Sequence, residues 1–176
     1  MKAIFLDRDG TVIREPHDEQ VDSVDKIQLF PDTIEALKLL ASLGYGVVFV
    51  TSQPCIAMGL ITKEQFHAIH QVVLERLAPS GIKVLKTCMC PHAKNVCDCR
   101  KPQPKMLLQA AQEFGVDLAT TWMIGDRLSD VMAGVNAGTK TILLQTTDPH
   151  AASADATHVA SNLLSAVRFV AAAEQM

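Results

Sequence analysis

The sequence predicts an α/β fold in which a parallel sheet carries helices on both faces. Short apolar runs of strand length alternate along the chain with segments of helical periodicity, and this alternation implies right-handed crossovers between parallel strands. The chain has 176 residues, of which 48% are hydrophobic and 20% are charged, values typical of a globular protein. We therefore expect one domain over residues 1–176 with a sizeable core.

The chain begins with a buried strand that ends in charge. Ile4–Leu6 reads as the end of a strand, and the carboxylates of Asp7 and Asp9 follow before Gly10 breaks it. Two neighbouring carboxylates repel one another, which indicates a bound metal, a phosphoryl substrate, or a solvated acidic turn. The polar stretch at residues 14–28 then either shapes a substrate mouth or forms an ordinary exposed loop.

The later elements follow from periodicity and from end signals. They are a helix opened by Pro31-Asp32 and ended by Gly44, a strand at 46–50, a helix from the N-cap Thr62 with Gln65 as its capping-box partner, a strand at 82–87, a helix at 104–114, a strand at 121–124, a helix at 128–137, a strand at 139–144 and a closing helix at 163–170.

Polar residues follow three of the predicted strands. In a parallel sheet, ligands lie beyond the carboxyl ends of the strands, at a switch point in strand order. We therefore expect one crevice to collect the residues at these ends: Asp7, Asp9, Thr51, Ser52 and Asp126.

These residue types suit phosphoryl transfer. Asp7 is a candidate nucleophile that forms an aspartyl-phosphate, and Asp9 a candidate acid/base. Together with Asp126 they form an oxygen-rich site for Mg²⁺, with Asp130 as a supporting ligand or the partner of one. Lys101 offers positive charge to the transferred group.

Two of the candidates also allow simpler interpretations. Thr51 and Ser52 offer hydroxyl and backbone donors to phosphoryl oxygens, but Thr51 taken alone favours a helix cap. Lys101 taken alone favours a solvated surface position.

Four cysteines cluster within the predicted loop at residues 88–101, while Cys55 stands alone. Clustered cysteines in a reducing compartment favour a metal over disulfides. A closed tetrahedral site for structural Zn²⁺ needs four ligands, and the spacing supplies them as Cys90, His92, Cys97 and Cys99. Cys88 is then left over, and we expect it to pack as a small apolar residue.

The composition argues against several partners. The net charge is −3 and no basic stripe is present, which argues against a nucleic-acid backbone. No apolar run approaches the ~20 residues of a membrane helix, and the sequence opens directly on a strand. We therefore expect a cytoplasmic protein without a membrane partner, and a monomer.

Four ordered motifs resemble those of the haloacid-dehalogenase-like phosphohydrolases. They are Asp7-Arg8-Asp9-Gly10-Thr11, Thr51-Ser52 after a buried strand, Lys101, and the run from Gly125 to Asp130. The resemblance covers residues 1 to about 145. It implies a Rossmann-like core with little or no cap domain, Mg²⁺, an aspartyl-phosphate intermediate, Asp7 as nucleophile, Asp9 as acid/base and Lys101 as stabiliser of the phosphoryl group.

The cysteine loop with Arg100-Lys101-Pro102 after it is similar to two branches of this family. These are the D-glycero-D-manno-heptose 1,7-bisphosphate phosphatases and the histidinol-phosphate phosphatases. The resemblance implies that Arg100 and Arg127 contact substrate, and we add Ser52 and Gln53 as candidate substrate contacts.

Different segments favour different branches. Residues 53–59, 62–66 and 104–108 resemble the heptose branch, whereas the short gap from His92 to Cys97 and the run from Glu15-Pro16 to Gln20-Val21-Asp22 resemble the histidinol branch. Departures also occur: Ser52 stands where the heptose branch has Asn, Pro54-Cys55 where it has Ser-Gly, and Met58 where it has Arg.

The prediction is a Mg²⁺-dependent phosphomonoesterase that acts on a small phosphorylated metabolite in carbohydrate metabolism. Its favoured substrate is the 7-phosphate of the heptose bisphosphate. Histidinol phosphate is the alternative within the same chemistry. A non-catalytic metal-binding interaction module is the alternative of another class.

Overall fold

The computed structural model describes residues 1–147 and 155–174. Its strands are β1 Ala3–Leu6, β2 Gly46–Ser52, β3 Lys83–Cys90, β4 Trp122–Gly125, β5 Lys140–Leu144 and β6 His158–Ala160. Its α-helices are α1 Thr33–Ser42, α2 Pro54–Ala57, α3 Lys63–Leu77, α4 Lys105–Phe114, α5 Leu128–Ala137 and α6 Leu163–Ala173.

The six strands form one parallel sheet with the order β3-β2-β1-β4-β5-β6. Successive side chains of β1 alternate between its faces: Ile4 and Leu6 pack into one core cluster and Phe5 into the other. Residues of α1, α3 and α6 belong to the first cluster and residues of α4 and α5 to the second. The predicted sheet with helices on both faces is confirmed, and in the described ranges every strand belongs to it, as expected for a core without a cap.

The strand order reverses between β1 and β4. The chain adds β2 and β3 on one side of β1 and then returns to place β4 on the other. This switch point opens a crevice beyond the carboxyl ends of the two strands. Asp7 follows β1 and Asp126 follows β4, so the topology sets the two carboxylates at the place where ligands bind in such sheets.

Several elements extend beyond their predicted ends, and two were not predicted. β2 runs on through Thr51 and Ser52, so Thr51 is a strand residue and not a helix cap. β3 continues to Cys90, the first residue of the predicted zinc set. The helix α2 and the strand β6 have four and three residues, too short for either periodicity to appear in the sequence.

The predicted capping box begins α3. The Thr62 side chain accepts a hydrogen bond from the Gln65 backbone N–H at 3.2 Å, and the Gln65 side chain accepts one from the Thr62 N–H at 2.8 Å. These two bonds satisfy backbone donors that a helix start leaves without partners.

The loop at residues 14–28 is folded onto the body of the protein. A backbone hydrogen bond from Arg14 N to Gln28 O, at 2.7 Å, joins the two ends of the loop. Within the loop, Val21 and Ile27 are buried in the core. No helix in the described part of the chain is long and apolar enough to cross a membrane.

Candidate active site

Three buried carboxylates meet at the switch point. Oxygen atoms of Asp7, Asp126 and Asp130 lie within 4.8 Å of one another. Asp130 lies in the first turn of α5, where its Oδ2 accepts a hydrogen bond from the Arg127 backbone N–H at 3.0 Å. The structure therefore brings together Asp7 and Asp126, both predicted site residues. Asp130, predicted as a supporting residue, lies within this same distance of both.

Two glycines make room for these carboxylates. A Cβ on Gly10 would lie 2.3 Å from Asp126 Oδ2, and one on Gly125 would lie 2.3 Å from Asp130 Oδ2. Gly10 also has a φ of +83°, a conformation that other residues rarely adopt. The turn after β1 thus requires glycine for both its backbone and its neighbour.

Lys101 is the cation at the centre of the group. Its Nζ lies 2.6 Å from Asp7 Oδ1 and 2.6 Å from Asp130 Oδ1, and it donates to the Val50 carbonyl at 2.8 Å. The side chain is buried, so the interpretation of Lys101 as a solvated residue is wrong.

One lysine does not balance three carboxylates. Burial, and next the charges of Asp130 and Asp126, raise the pKa of Asp7 well above its usual value although Lys101 opposes them. Burial, and next the charge of Asp130, raise the pKa of Asp126 to about 6. Asp126 Oδ1 is buried without a hydrogen-bond partner among the described residues. A set of unbalanced oxygen ligands suits a hard divalent cation, so these residues fit Mg²⁺.

The side chain of Asp9 is not part of this group. It accepts hydrogen bonds from Arg8 Nε at 2.7 Å, from Arg8 Nη2 at 3.0 Å and from Gln53 Nε2 at 2.7 Å. Burial alone would raise the pKa of Asp9, but the Arg8 charge and these hydrogen bonds lower it overall. The prediction that Asp9 contributes a metal ligand therefore finds no support in its side-chain position, whereas its place in the cavity suits the acid/base role.

The carboxylate group faces a cavity of about 120 Å³ that all the predicted catalytic and substrate residues line. One wall carries Thr51, Ser52 and Gln53 from the end of β2. Ser52 Oγ is buried and has no partner among the described residues. Such a hydroxyl is free to donate to an incoming phosphoryl oxygen.

The opposite walls are charged. Arg100 donates to the His92 carbonyl at 3.2 Å, and Arg127 Nη2 pairs with Glu15 Oε1 at 2.6 Å. Glu15 belongs to the loop at residues 14–28, as do Glu19 and Gln20, which also line the cavity. The loop therefore shapes the mouth of the site.

A second, wider cavity of about 770 Å³ adjoins the first. The two share Arg100, Lys101, Arg127 and Ser129 in their walls, and Lys94 adds a further cation. The space beside the carboxylate group is thus large enough for a sugar-sized molecule and is lined by positive charge.

The four predicted zinc ligands form a compact cluster. Cys99 Sγ lies 3.2 Å from Cys90 Sγ, 3.4 Å from Cys97 Sγ and 3.3 Å from His92 Nδ1. Cys90 Sγ lies 3.6 Å from both Cys97 Sγ and His92 Nδ1. Ligands at zinc-binding distances from one ion stand about 3.4–3.8 Å apart, close to these separations, so three thiolates and an imidazole fit a closed tetrahedral Zn²⁺ site. Cys88 is half-buried against the second core cluster, as predicted for a packing residue.

Two residues of the site were not among the predicted site residues. Thr147 Oγ1 donates to Asp126 Oδ2 at 2.7 Å, and Glu15 pairs with Arg127 across the cavity. Thr147 follows the end of β5, and Glu15 belongs to the polar stretch at residues 14–28, so both had a weak signal in the sequence. Asp130 had a signal, since it lies four residues after Asp126 and a helix first turn carries it back towards that residue.

The comparisons with known proteins agree with this geometry. A profile of the Hydrolase_like family, described as HAD-hydrolase-like, matches residues 98–166. Two relatives are named D-glycero-beta-D-manno-heptose-1,7-bisphosphate 7-phosphatase. The one from Pasteurella multocida is 40% identical over 84% of this chain and 84% of its own. The one from Photorhabdus laumondii is 41% identical over 84% of this chain and 82% of its own.

A solved structure is similar over almost the whole fold. It is D,D-heptose 1,7-bisphosphate phosphatase from B. bronchiseptica complexed with magnesium and phosphate, at 32% identity and a TM-score of 0.88, covering 98% of this chain and 99% of that chain.

Proposed function

This chain belongs to the family of the D-glycero-beta-D-manno-heptose-1,7-bisphosphate 7-phosphatases, and we propose that it hydrolyses the 7-phosphate of such a heptose bisphosphate. The proposal rests on one observation: Lys101 pairs with both Asp7 and Asp130 at the strand switch point, beside a cavity lined by cations. The likeness of fold to the magnesium and phosphate complex supports it.

Asp7 acts as the nucleophile. One of its oxygens attacks phosphorus, the bond from phosphorus to the sugar oxygen breaks, and an aspartyl-phosphate forms. Lys101 holds Asp7 at 2.6 Å, so the attacking carboxylate is oriented before substrate arrives and transferred negative charge meets a fixed cation. Asp7, Asp126 and Asp130 would hold Mg²⁺, which would supply further positive charge against the phosphoryl oxygens.

Asp9 moves the protons. Its carboxyl group gives a proton to the departing sugar oxygen, and the resulting carboxylate takes one from the water that attacks the aspartyl-phosphate. Phosphate then leaves, and Asp7 and Asp9 return to their starting forms. Thr51 and Ser52, at the end of β2, offer donors to the phosphoryl oxygens.

The second phosphate of the substrate is the basis for choosing a bisphosphate. Arg100 and Arg127 border both cavities, and guanidinium groups bind phosphate through paired hydrogen bonds. A substrate with one phosphate at Asp7 reaches these arginines with the other. Met58 replaces a family arginine, which leaves Arg100, Arg127 and Lys94 to supply the cationic contacts.

The test is a substrate panel with Mg²⁺ in which kcat/KM is compared between the heptose bisphosphate, its 1-monophosphate and histidinol phosphate. We expect rapid phosphate release from the bisphosphate alone, and loss of this activity in Asp7→Asn. A preference for histidinol phosphate would reassign the substrate, and no turnover of any ester would overturn the phosphatase assignment.

The setting of the enzyme is part of the proposal. We propose a single phosphatase domain over residues 1–176 that works as a cytoplasmic monomer in carbohydrate metabolism and contains structural Zn²⁺. The clustered cysteines support a reducing compartment. Light scattering on the purified protein measures its mass in solution, and metal analysis measures its zinc.

A further inference from the structure

Arg8 is buried completely, yet within the described ranges it makes only one ion pair, with Asp9. Its exposed fraction is 0%, and its guanidinium carbon lies 4.9 Å from the centre of the Phe66 ring on α3. Nε and Nη2 both donate to Asp9. Nη1 is buried and has no hydrogen-bond partner among the described residues. The chain thus carries a charged group into its core and leaves one of its donors unsatisfied.

Core packing alone does not explain this residue. Removing a guanidinium from water costs several kcal/mol, and an apolar pair of similar volume often replaces both members of a buried ion pair without loss. A methionine in place of Arg8 alone would fill the space beside Phe66 but would leave the Asp9 carboxylate without its cation. The charge and the forked shape of Arg8 therefore serve the group that they contact, which is Asp9.

The Asp9 carboxylate is fixed from two directions. Arg8 donates to both of its oxygens, and Gln53 Nε2 donates to Oδ2 from the other wall of the cavity. Gln53 is itself held, because its Nε2 also donates to Thr51 Oγ1 at 2.8 Å and its backbone N–H donates to the Cys90 carbonyl at 2.7 Å. Three donors on two oxygens leave the carboxylate one orientation.

We propose that Arg8 is a positioning residue for the acid/base Asp9. Arg8 keeps that carboxylate turned towards the cavity and away from Asp7, Asp126 and Asp130, the residues that would hold Mg²⁺. Without Arg8, only the Gln53 donor to Oδ2 remains, and the carboxylate can turn about that hydrogen bond. The inference rests on the proposed function, since a positioned acid/base matters only if Asp9 transfers protons.

The proton steps offer a readout that a purely structural role would not move. An alkyl phosphate needs a proton on its leaving oxygen, whereas p-nitrophenyl phosphate releases a stable phenolate that needs none. Both esters share the second step, in which water loses a proton to Asp9. A mispositioned Asp9 therefore slows the first step only for the alkyl ester.

The experiment measures single-turnover and steady-state rates of Arg8→Met with the heptose bisphosphate and with p-nitrophenyl phosphate. We expect turnover of the sugar ester to fall about 10²-fold, the lower end of what a positioned acid/base contributes. With p-nitrophenyl phosphate we expect one rapid equivalent of phenolate per enzyme, followed by slow turnover. Arg8→Lys keeps the charge without the fork and should lie between Arg8→Met and the wild type.

Phe66→Leu is the matched control, because it loosens the packing around Arg8 and leaves every donor to Asp9 in place. Phe66→Leu should lower thermal stability and leave the ratio of the turnover rates on the two substrates unchanged. If Arg8→Met does not fold, Gln53→Leu provides the test, because it removes the other donor to the Asp9 carboxylate. It should change the ratio of the turnover rates on the two substrates in the same direction by a smaller factor.

Equal losses on both substrates without a phenolate burst, or no loss at all, would overturn the role of Arg8 while the phosphatase assignment stands. A wild-type protein inactive on both esters would instead overturn the proposed function.

Discussion

The carboxylate group and the cysteine loop are both clusters of ligating side chains, but they are built in opposite ways. Asp7, Lys101 and Asp126 come from distant parts of the chain, and the sheet brings them together. The four cysteine-loop ligands lie within residues 90–99. The first cluster is deeply buried, whereas Cys97 and Cys99 are half-buried and His92 is exposed.

The difference shows what holds each cluster in place. Core packing offsets the unfavourable burial of the carboxylate group, because like charges repel one another without a lysine and a metal cation. The cysteine loop has little apolar material of its own, so metal binding takes the place of a core. The carboxylate group therefore lowers the stability of the fold, whereas the metal-bound cysteine loop raises its local stability.

Asp7→Asn should have the largest effect, and it tests whether the carboxylate group serves activity at the expense of stability. We expect kcat to fall by about 10⁴-fold or more, as when a nucleophile is removed from an enzyme, while the melting temperature does not fall because one of three repelling charges is gone. Phosphate release and thermal unfolding measure the two effects. Substantial residual activity would mean that Asp7 is not the nucleophile.

Next in size is Lys101→Ala, which removes the one cation among the described residues that pairs with Asp7. We expect kcat to fall by about 10²–10³-fold, the range for one electrostatic stabiliser. The protein should also lose stability, because two buried carboxylates lose their partner, and Mg²⁺ should restore part of it. Lys105→Ala is the control, since Lys105 pairs at the surface with Asp98 and should behave as wild type.

Cys97→Ser tests the other region. We expect loss of bound zinc and a fall in melting temperature of about 6–12 °C, which corresponds to about 3 kcal/mol in a chain of this size. Activity should fall less than in Lys101→Ala, because the sheet still holds Asp7. Metal analysis and calorimetry provide the measurements. Cys88→Ser, outside the ligand set, should keep its zinc; if it lost zinc instead, the ligand assignment would be wrong.

The last prediction is a pH dependence of stability, which is spread over about two pH units. Asp126 has a pKa of about 6 in the folded protein, above its usual 3.8, so between these values the folded state binds more protons than the unfolded state. Stability therefore falls as pH rises through this window, by about 3 kcal/mol in all. Denaturant unfolding in Mg²⁺-free buffer measures the slope, which saturating Mg²⁺ or Asp126→Asn should flatten. A slope of the opposite sign would contradict the unfavourable burial of Asp126.

The sequence carried the strand ends and the ligand spacing because both are local. Asp7, Asp126 and the set from Cys90 to Cys99 could be named from the order of residue types alone. The orientation of Asp9 could not, since it depends on Arg8 and Gln53, which meet it only in the folded protein. Thr147 follows the end of β5, but its hydrogen bond to Asp126 is formed only in the folded protein.

β3 ends on Cys90, the first cysteine-loop ligand, and Lys101 lies two residues beyond Cys99, the last ligand. Both ends of the loop are therefore fixed, one in the sheet and one in the carboxylate group. We expect residues 93–96, which lie between the ligands His92 and Cys97, to tolerate changes in length and charge while the reaction proceeds. A graft of another loop that keeps the four ligands should change which ester is accepted and preserve how it is cleaved.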